Sequence, residues 1–574
     1  HLMRKYYSSL VFILLIILTN ILVSFTDFSL DLTADGKHSI SEETIKTLEK
    51  VDDIVFIKVY LEGVFPAEFK HLQSEVLNLL SSFKTIADDN LEFEFINPNE
   101  GRNEKEKVDL YKQLVKQGLA PTDIEIKKAG SSINQIIFPG AIIYYKDKEI
   151  AVNFLKNSVT KNAGENINAS VENLEFEFIS AIYHISKTKT HRIAFLEGNG
   201  ELSASEVYDI TESVMQDNDK LSYHYTIDRF NIKEFEIDSI TLQADISSQV
   251  KKLTSYKAII IAKPTIAFNM LDKFIIDQYL MNGGKILWLI DGAKASMDSL
   301  QQNKSFIATN NDLKLSDQLF KYGIRINANL IEDLRSTEIP IVTGYSNNIP
   351  QQSYFPWPYY PLLFSENNHP ISKGLDAIKC DFASSIDTIK NNINKTILLH
   401  SSKQSRISPT PAKVSLGILE NPPPLTSFNK ENLTIAVLLE GEFESVFKNR
   451  ILPKNQKLNF VSQSKKTQMI VVSDGDLIRN SVSNNGDIYP LGYDRFIKYT
   501  YPGNKKFIMN SIHFLCDETG LIQLKTKEIK LRLLDKEKIK NNKTFIQLIN
   551  ILLPLIILLI FAFIFTKMKK KKYA

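Results

Sequence analysis

Two long uncharged stretches, one near each end, constrain this chain more than any other feature. Tyr6 to Phe25 holds no charged residue and is apolar throughout Leu10 to Leu18; Phe545 to Phe565 is again uncharged, with Pro554 inside it. Each is close to the ~20 residues a helix needs to cross a hydrocarbon layer, and one proline is tolerated in such a helix. Arg4 and Lys5 precede the first stretch, and Lys567, Lys569, Lys570, Lys571 and Lys572 follow the second. Basic flanks stay on the cytoplasmic side. The sequence therefore predicts two transmembrane helices in a bacterial inner membrane, both termini cytoplasmic, and the bulk of the chain in the periplasm. The long apolar centre of the first stretch, with no small-x-small site after it, reads as an anchor and not a cleaved signal peptide. The lysine tail also suits anionic lipid.

The formal charge of +3, from 69 basic and 66 acidic residues, is made of unlike parts. Setting aside Arg4, Lys5 and the five tail lysines takes 7 from 69, leaving 62 basic against 66 acidic residues and a charge of −4 elsewhere. A mildly acidic body has no nucleic-acid footprint. The 43% of apolar residues exclude a disordered chain, and Cys380 and Cys516 alone cannot make a disulfide scaffold.

Between the anchors (1–25 and 544–566, the latter followed by the tail 567–574) the pattern is α/β. In 26–160, Ser39 or Ser41 can cap a short helix. A strand at Ile54–Leu61, a helix from Pro66 with Phe69, Leu72, Val76, Leu80 and Phe83 on one face, and a strand at Leu91–Ile96 form a βαβ unit, for which a parallel pair is expected. A helix near Lys107–Gln117 follows, then a strand Ile133–Phe138 turning at Pro139-Gly140 into a partner Ala141–Tyr145. This order resembles a thioredoxin-like domain; with no cysteine in it, thiol redox chemistry is excluded. The stretch 161–190 reads as a connecting helix.

The region 191–515 reads as a doubly wound domain, followed by a juxtamembrane segment, 516–543. Arg192–Leu196 is a strand, and Tyr256–Ala262 is the continuous apolar run of a strand buried on both faces. Asn269 caps a helix to Met281, Gly283-Gly284 stops it, and Lys285–Ile290 is the next strand. Gln468–Val472 rejoins the same sheet, so about 300–430 is a large insertion. Within it, Tyr354-Phe-Pro-Trp-Pro-Tyr-Tyr-Pro361 cannot be a helix. Phe355, Trp357, Tyr359 and Tyr360 make either a partner-contact surface or an irregular packed loop, since aromatics mark both.

Candidate chemistry gathers at strand ends. Glu197, Gly198 and Gly200 form a Gly-rich loop that could cradle a phosphate, although it lacks the third glycine or the lysine of known phosphate loops, and Ser203 with Glu206 explains it as a capping box. Asp291, Asp474 and Asp476 could ligate a hard cation but are more simply turn-forming carboxylates. Neither cysteine nor any histidine stands in a catalytic or zinc spacing, and the sequence calls for no cofactor and no metal.

Several strings carry a family resemblance: Lys58-Val-Tyr-Leu-Glu-Gly63, Glu94-Phe-Ile-Asn-Pro98, Asn168-Ala-Ser-Val-Glu-Asn-Leu174, Phe195-Leu-Glu-Gly-Asn-Gly-Glu201, Tyr279 through Asp291, Phe355-Pro-Trp-Pro358 and Lys527 through Lys538. In these the chain resembles the GldG family, the gliding-motility-associated components of ABC transporters in Bacteroidota, and the wider auxiliary ABC-transport proteins. The resemblance implies a membrane-anchored periplasmic subunit working with the permease GldF and the ATPase GldA. The second domain also resembles the flavodoxin-type glutamine-amidotransferase group. In that group a sharp elbow after a central strand bears the nucleophilic cysteine; here Lys263-Pro264 stands in its place, which implies a scaffold without the nucleophile. The expectation is a non-catalytic auxiliary or binding subunit. The alternatives are a periplasmic hydrolase using Glu197, Asp291 or Asp474, and a structural envelope scaffold.

Overall fold

A computed structural model describes residues 40–128, 131–155, 163–187, 191–211, 225–237, 244–347, 349–365, 368–452, 459–483, 485–526 and 543–573. The chain divides into two compact units, one of residues 1–39 with 528–574 and one of Ile40–Lys527.

In the larger unit, Ser41 caps α1 (Glu42–Leu48) by accepting from the Thr44 amide. Val55, Ile57 and Val59 alternate inward along β1 (Val55–Val59), while α2 (Ala67–Ala87) buries Leu72, Val76, Leu80 and Phe83. Strand β2 (Leu91–Phe95) lies parallel to β1, the βαβ geometry expected from the sequence. An Asn103–Glu106 capping box starts α3 (Glu104–Lys116).

The next step differs from expectation. The Ser131–Ile137 segment does not pair with 141–145. Instead β3 (Thr122–Lys128) and β4 (Ser131–Ile137) form their own antiparallel pair, and β5 (Gly140–Tyr145) pairs with both β1 and β6 (Lys148–Asn153). The sheet order is β2-β1-β5-β6. The reason lies in burial: β5 is buried at nearly every position, so it needs a neighbour on each side, and Gly140 presses so close to Leu119 and the Val152 carbonyl that a Cβ would sit 2.6 and 2.7 Å from them. Helix α4 (Ala163–Ser186) is more than a connector. Its Leu174, Phe178, Ile179 and Ile182 join the same core, as do Leu521, Ile522 and Leu524 much later in the chain.

The rest of this unit is built on a seven-stranded sheet. Its first part alternates: β7 (His191–Glu197), β8 (Tyr225–Asn231), α5 (Ile246–Leu253), β9 (Ala258–Ala262), α6 (Met270–Met281) and β10 (Lys285–Leu289). The insertion contributes β11 (Asn329–Asp333), β12 (Ser336–Ser346), β13 (Ile349–Leu363), β14 (Asn394–His400) and β15 (Ser405–Pro409), before β16 (Thr434–Gly441), β17 (Thr467–Val472) and helix α7 (Pro502–Cys516). Sheet order is β14-β16-β17-β10-β9-β7-β8. The contacts from β17 to β8 are parallel, whereas β16 and β14 are antiparallel at one edge. Strand 467–472 thus rejoins the sheet as expected, but the insertion also lends it β14.

Both faces of this sheet are covered, which is why β9 is apolar at every position. Ile259, Ile261 and Trp288 meet Phe274, Ile275 and Tyr279 of α6 on one face; Ile260, Leu287 and Leu289 meet Phe507, Ile508 and Ile512 of α7 on the other. Each such buried side chain contributes about 1.5–3 kcal/mol. Helix α6 is capped by the expected Asn269, in a box with Asp272. It is buried so completely that Asp277 needs internal donors, which Ser445 Oγ (2.6 Å), Tyr322 OH (2.9 Å) and the Val446 amide (3.0 Å) supply.

The proline-aromatic segment is neither a loop nor a free surface. It is part of β13, paired with β12, and the register steps from Glu338↔Pro356 to Ser336↔Pro361, so four residues of β13 oppose one of β12. Such a bulge removes ladder donors where proline has none to give and turns alternate rings inward. Trp357, Tyr359 and Tyr360 are buried with Phe382, Leu330 and Ile339; only Phe355 is half-buried. The partner-contact expectation for the three buried rings is therefore corrected.

In the other unit, α8 (Lys543–Tyr573) is a helix of 31 residues with Pro554 inside it, and Leu548 and the large apolar side chains from Ile551 to Phe565 are exposed. Among the described residues no helix is long and apolar enough to cross a membrane; on α8 the described side chains run unbroken only over 551–567. The expected first span, with Arg4 and Lys5, lies outside the described residues, as do the side chains of Lys569 to Lys572.

Candidate functional site

Ligands of doubly wound folds bind where the carboxyl ends of the strands open. At those ends β9 is followed by Lys263, β10 by Ile290 and then Asp291, and β17 by the turn Ser473–Asp476. Main-chain bonds hold the three ends level: Lys263 N donates to Leu289 O and Ile290 N to Val472 O, both at 2.9 Å. The carboxylates of Asp291, Asp474 and Asp476 consequently converge, with an oxygen of each within 4.8 Å of the others.

Lys263 is seated on this group. Its Nζ is 3.1 Å from Asp291 Oδ2 and donates to Asp476 Oδ2. Burial opposes the lysine's charge, but Asp476 and Asp291 outweigh it and hold the ammonium well above the ordinary lysine value. Burial likewise works against Asp476, yet Lys263 and Arg479 keep its carboxyl below the usual range. For Asp291 burial wins over Lys263, and the group is raised. At Asp474 burial, then the negative Asp476 and Asp291, push the carboxyl well up. It accepts from the Asp476 amide and the Asp381 amide, each at 2.8 Å.

Gly475 wedges between the partners, donating its amide to Asp291 Oδ1. A Cβ there would meet Lys263 Cβ and Cγ at 2.7 Å and Asp291 Oδ1 at 3.0 Å. Gly475→Ala is accordingly expected to cost about 1–3 kcal/mol, as overpacking does, measured as a lowered urea midpoint with unchanged slope.

The insertion closes the crevice. Ser384 N donates to Ser473 O at 3.0 Å, and Lys379, 2.8 Å from Asp381 and 3.6 Å from Asp494, lies over the Tyr360 ring. Half-buried Lys379 and Asp381 and buried Cys380 thus pack against the strand ends where a ligand would enter.

Of the residues singled out in the sequence, Asp291, Asp474 and Asp476 come together. Glu197, Gly198 and Gly200 stand one strand further along, at the end of β7. There Glu197 is bound by Arg229, and Gly198 (φ 120°) and Gly200 (φ 72°) make a turn whose Asn199 carbonyl accepts from Thr265 and Ile266 amides at 3.0 and 2.8 Å. The capping box is half formed: the Glu206 carboxylate accepts from Ser203 N, but Ser203 Oγ donates to that same carboxylate. With Glu201, Glu206 and Asp272 nearby, the loop offers carboxylates where a phosphate needs cations. Burial raises the Cys380 thiol far above its usual value and the Cys516 thiol to about 12, so neither is a ready thiolate.

Sequence reasoning missed Lys263, Lys379, Asp381 and Arg479. Lys263 adopts φ 52°, the left-handed turn an elbow requires. The available signal was a lysine directly following a wholly apolar parallel strand in a sheet whose other ends carry aspartates.

Comparison with known proteins gives these results. Residues 34–144 match a domain of unknown function (DUF7088). No curated protein matches the chain. A solved structure, the mmIFT52 N-terminal domain, aligns over 57% of this chain and 97% of its own at 15% identity with a TM-score of 0.30. Residues 190–511 match the auxiliary family described as an ABC-type uncharacterized transport system. Since that match covers more than half of the 574 residues, the chain belongs to this family of ABC-system auxiliary proteins.

Proposed function

We propose that this protein is a non-catalytic auxiliary subunit of an ABC transporter, of the gliding-motility GldG type, acting with a permease of the GldF kind and an ATPase of the GldA kind. The family match over 190–511 carries the reading. The apolar surface of α8, exposed from Ile551 to Phe565, suits a lipid-facing anchor beside Lys567, and the apolar stretch 6–25 supplies a second. The β2-β1-β5-β6 order, a βαβ unit followed by an antiparallel pair and α4, is compatible with a thioredoxin-like N-terminal domain. The non-catalytic part rests on a lysine at the elbow whose charge is held by aspartates. In this reading, movement of permease and ATPase would reach the periplasmic domains through the two membrane anchors.

Mild detergent extraction of the tagged full chain is expected to recover a permease and an ATPase with it; a lone protein under several detergents would overturn the reading. Orientation has its own test. Tyr345 is 75% exposed, and both native cysteines are buried, so Tyr345→Cys gives a single reactive thiol. A membrane-impermeant maleimide is expected to label it in intact spheroplasts. Labelling only after lysis would place the domain in the cytoplasm.

A further inference from the structure

Two buried oxygens in the Gly-rich turn after β7 lack a donor. Asn199 is wholly buried, and neither its side-chain Oδ1 nor the Oε1 of Glu201 has a hydrogen-bond partner among the described residues. Buried acceptors are almost always paired, so two orphans in one turn mark a missing donor. The other polar atoms of Asn199 are bound. Its main-chain amide donates to Glu201 Oε2 at 2.7 Å, and its Nδ2 donates to Asp272 Oδ2 at 3.2 Å and to the Ala267 carbonyl at 3.4 Å. Those two acceptors fix which end of the side-chain amide is nitrogen. One asparagine therefore links two carboxylates, and the oxygen of its amide is left over. Positive charge is short around this group. Asp272, 1% exposed, accepts the Asn269 amide at 3.0 Å, but Lys233 Nζ stands 3.8 Å from its carboxylate, beyond hydrogen-bond reach. Arg229 is committed to Glu197 and to the Leu202 carbonyl. Burial raises the Glu201 carboxyl, and the Asn199 amide and Lys233 offset this only in part. The unpaired atoms belong to a carboxylate and an amide carbonyl, hard oxygen donors of the kind Ca²⁺ and Mg²⁺ take. A phosphate would find no donor in them.

We propose that Asn199 Oδ1 and Glu201 Oε1, backed by the Asp272 carboxylate, bind one hard divalent cation, Ca²⁺ or Mg²⁺, at the carboxyl end of β7. The ion gives both oxygens the partner they lack and supplies the positive charge that Glu201 and Asp272 share. It joins the turn after β7 to the first turn of α6, at the strand-end edge where doubly wound folds take their ligands. The site is separate from Asp291, Asp474 and Asp476 at the ends of β10 and β17. It holds whether or not the chain works with a transporter, so its failure leaves the transport reading untouched.

The test uses the full-length protein, stripped with EDTA and titrated with Ca²⁺ and with Mg²⁺ by calorimetry. One equivalent of at least one of these ions should bind, and millimolar amounts of it should raise the thermal midpoint by several degrees, as a ligand binding only the folded state does. Glu201→Gln discriminates, because it keeps the side-chain shape and an acceptor for the Asn199 amide while replacing the charge by a group whose N–H can serve an unpaired oxygen. It should bind the ion at least tenfold more weakly, and its midpoint should no longer respond. Asp272→Asn, which removes the second charge and keeps an oxygen for Asn199, should weaken binding by a similar factor and serves alone if Glu201→Gln does not fold. A parent that binds neither ion overturns the proposal whatever the variants do. So does binding that a folded Glu201→Gln or Asp272→Asn protein retains at full strength.

Discussion

Lys263→Met should be among the most destabilising single substitutions in this protein, costing about 3–5 kcal/mol at neutral pH, because it removes one partner of a buried ion pair and leaves the other charged. Methionine fills the lysine stem's volume, so the loss reports charge and not a cavity. Asp291 is 14% exposed and Asp476 17%, and neither can recover in water what the ammonium supplied. Arg479, 3.4 Å from Asp476 Oδ1, retains part of the compensation. Chemical unfolding of parent and variant checks the magnitude, and pH checks the cause. In the parent, Lys263 is the largest attraction holding the Asp476 carboxyl below its ordinary value. A depressed carboxyl contributes stability that is present above its unfolded pKa of about 3.9 and lost as pH falls through its folded value. The variant lacks that attraction, its carboxylates shift upward, and raised carboxyls favour the folded state at low pH. The gap between the two proteins should therefore be widest near neutrality and close as pH drops below about 4. A gap independent of pH would mean that packing, not charge, is what Lys263 provides.

That site shows why a sequence reading stops where it does. The apolar run 256–262, the Asn269 cap and the Gly283-Gly284 stop are local signals, and each element they imply is present at nearly the expected bounds. Asp291, Asp474 and Asp476 were legible as strand-end residues because the strands were. Their partner was not: Lys263 and Asp476 are 213 residues apart, and only the order of strands in the sheet makes them neighbours. The same limit explains the closing of the crevice by Lys379 and Asp381, which sit in an insertion without periodicity. It explains the missed edge too, since β14 and β16 are antiparallel additions that no alternating strand-helix pattern announces. In the four-stranded sheet the βαβ unit was local and legible, whereas the partners of β5 depended on how completely that strand is buried.

The aromatic segment poses the sharpest choice between surface and core, and Trp357→Ala decides it. Trp357 is wholly buried, with its ring 5.2 Å from Tyr359, which in turn lies 5.8 Å from Phe382. Truncation should cost about 3–5 kcal/mol, the range for a large aromatic removed from a core that cannot collapse. The site has little freedom to relax, since Pro356, Pro358 and Pro361 fix the backbone on either side. Trp357→Phe should cost far less, because most of the ring packing survives and the indole N–H has no acceptor among the described residues. Tyr354, half exposed on the same strand, is the matched control: Tyr354→Ala should stay within about 0.5 kcal/mol of the parent, as surface changes do. A thermal or urea series over the three variants reads the order directly. If Trp357→Ala were as mild as Tyr354→Ala while weakening recovery of the partner subunits, the ring would be a contact surface after all; the buried geometry requires the opposite, a loss of folding stability that precedes any loss of association.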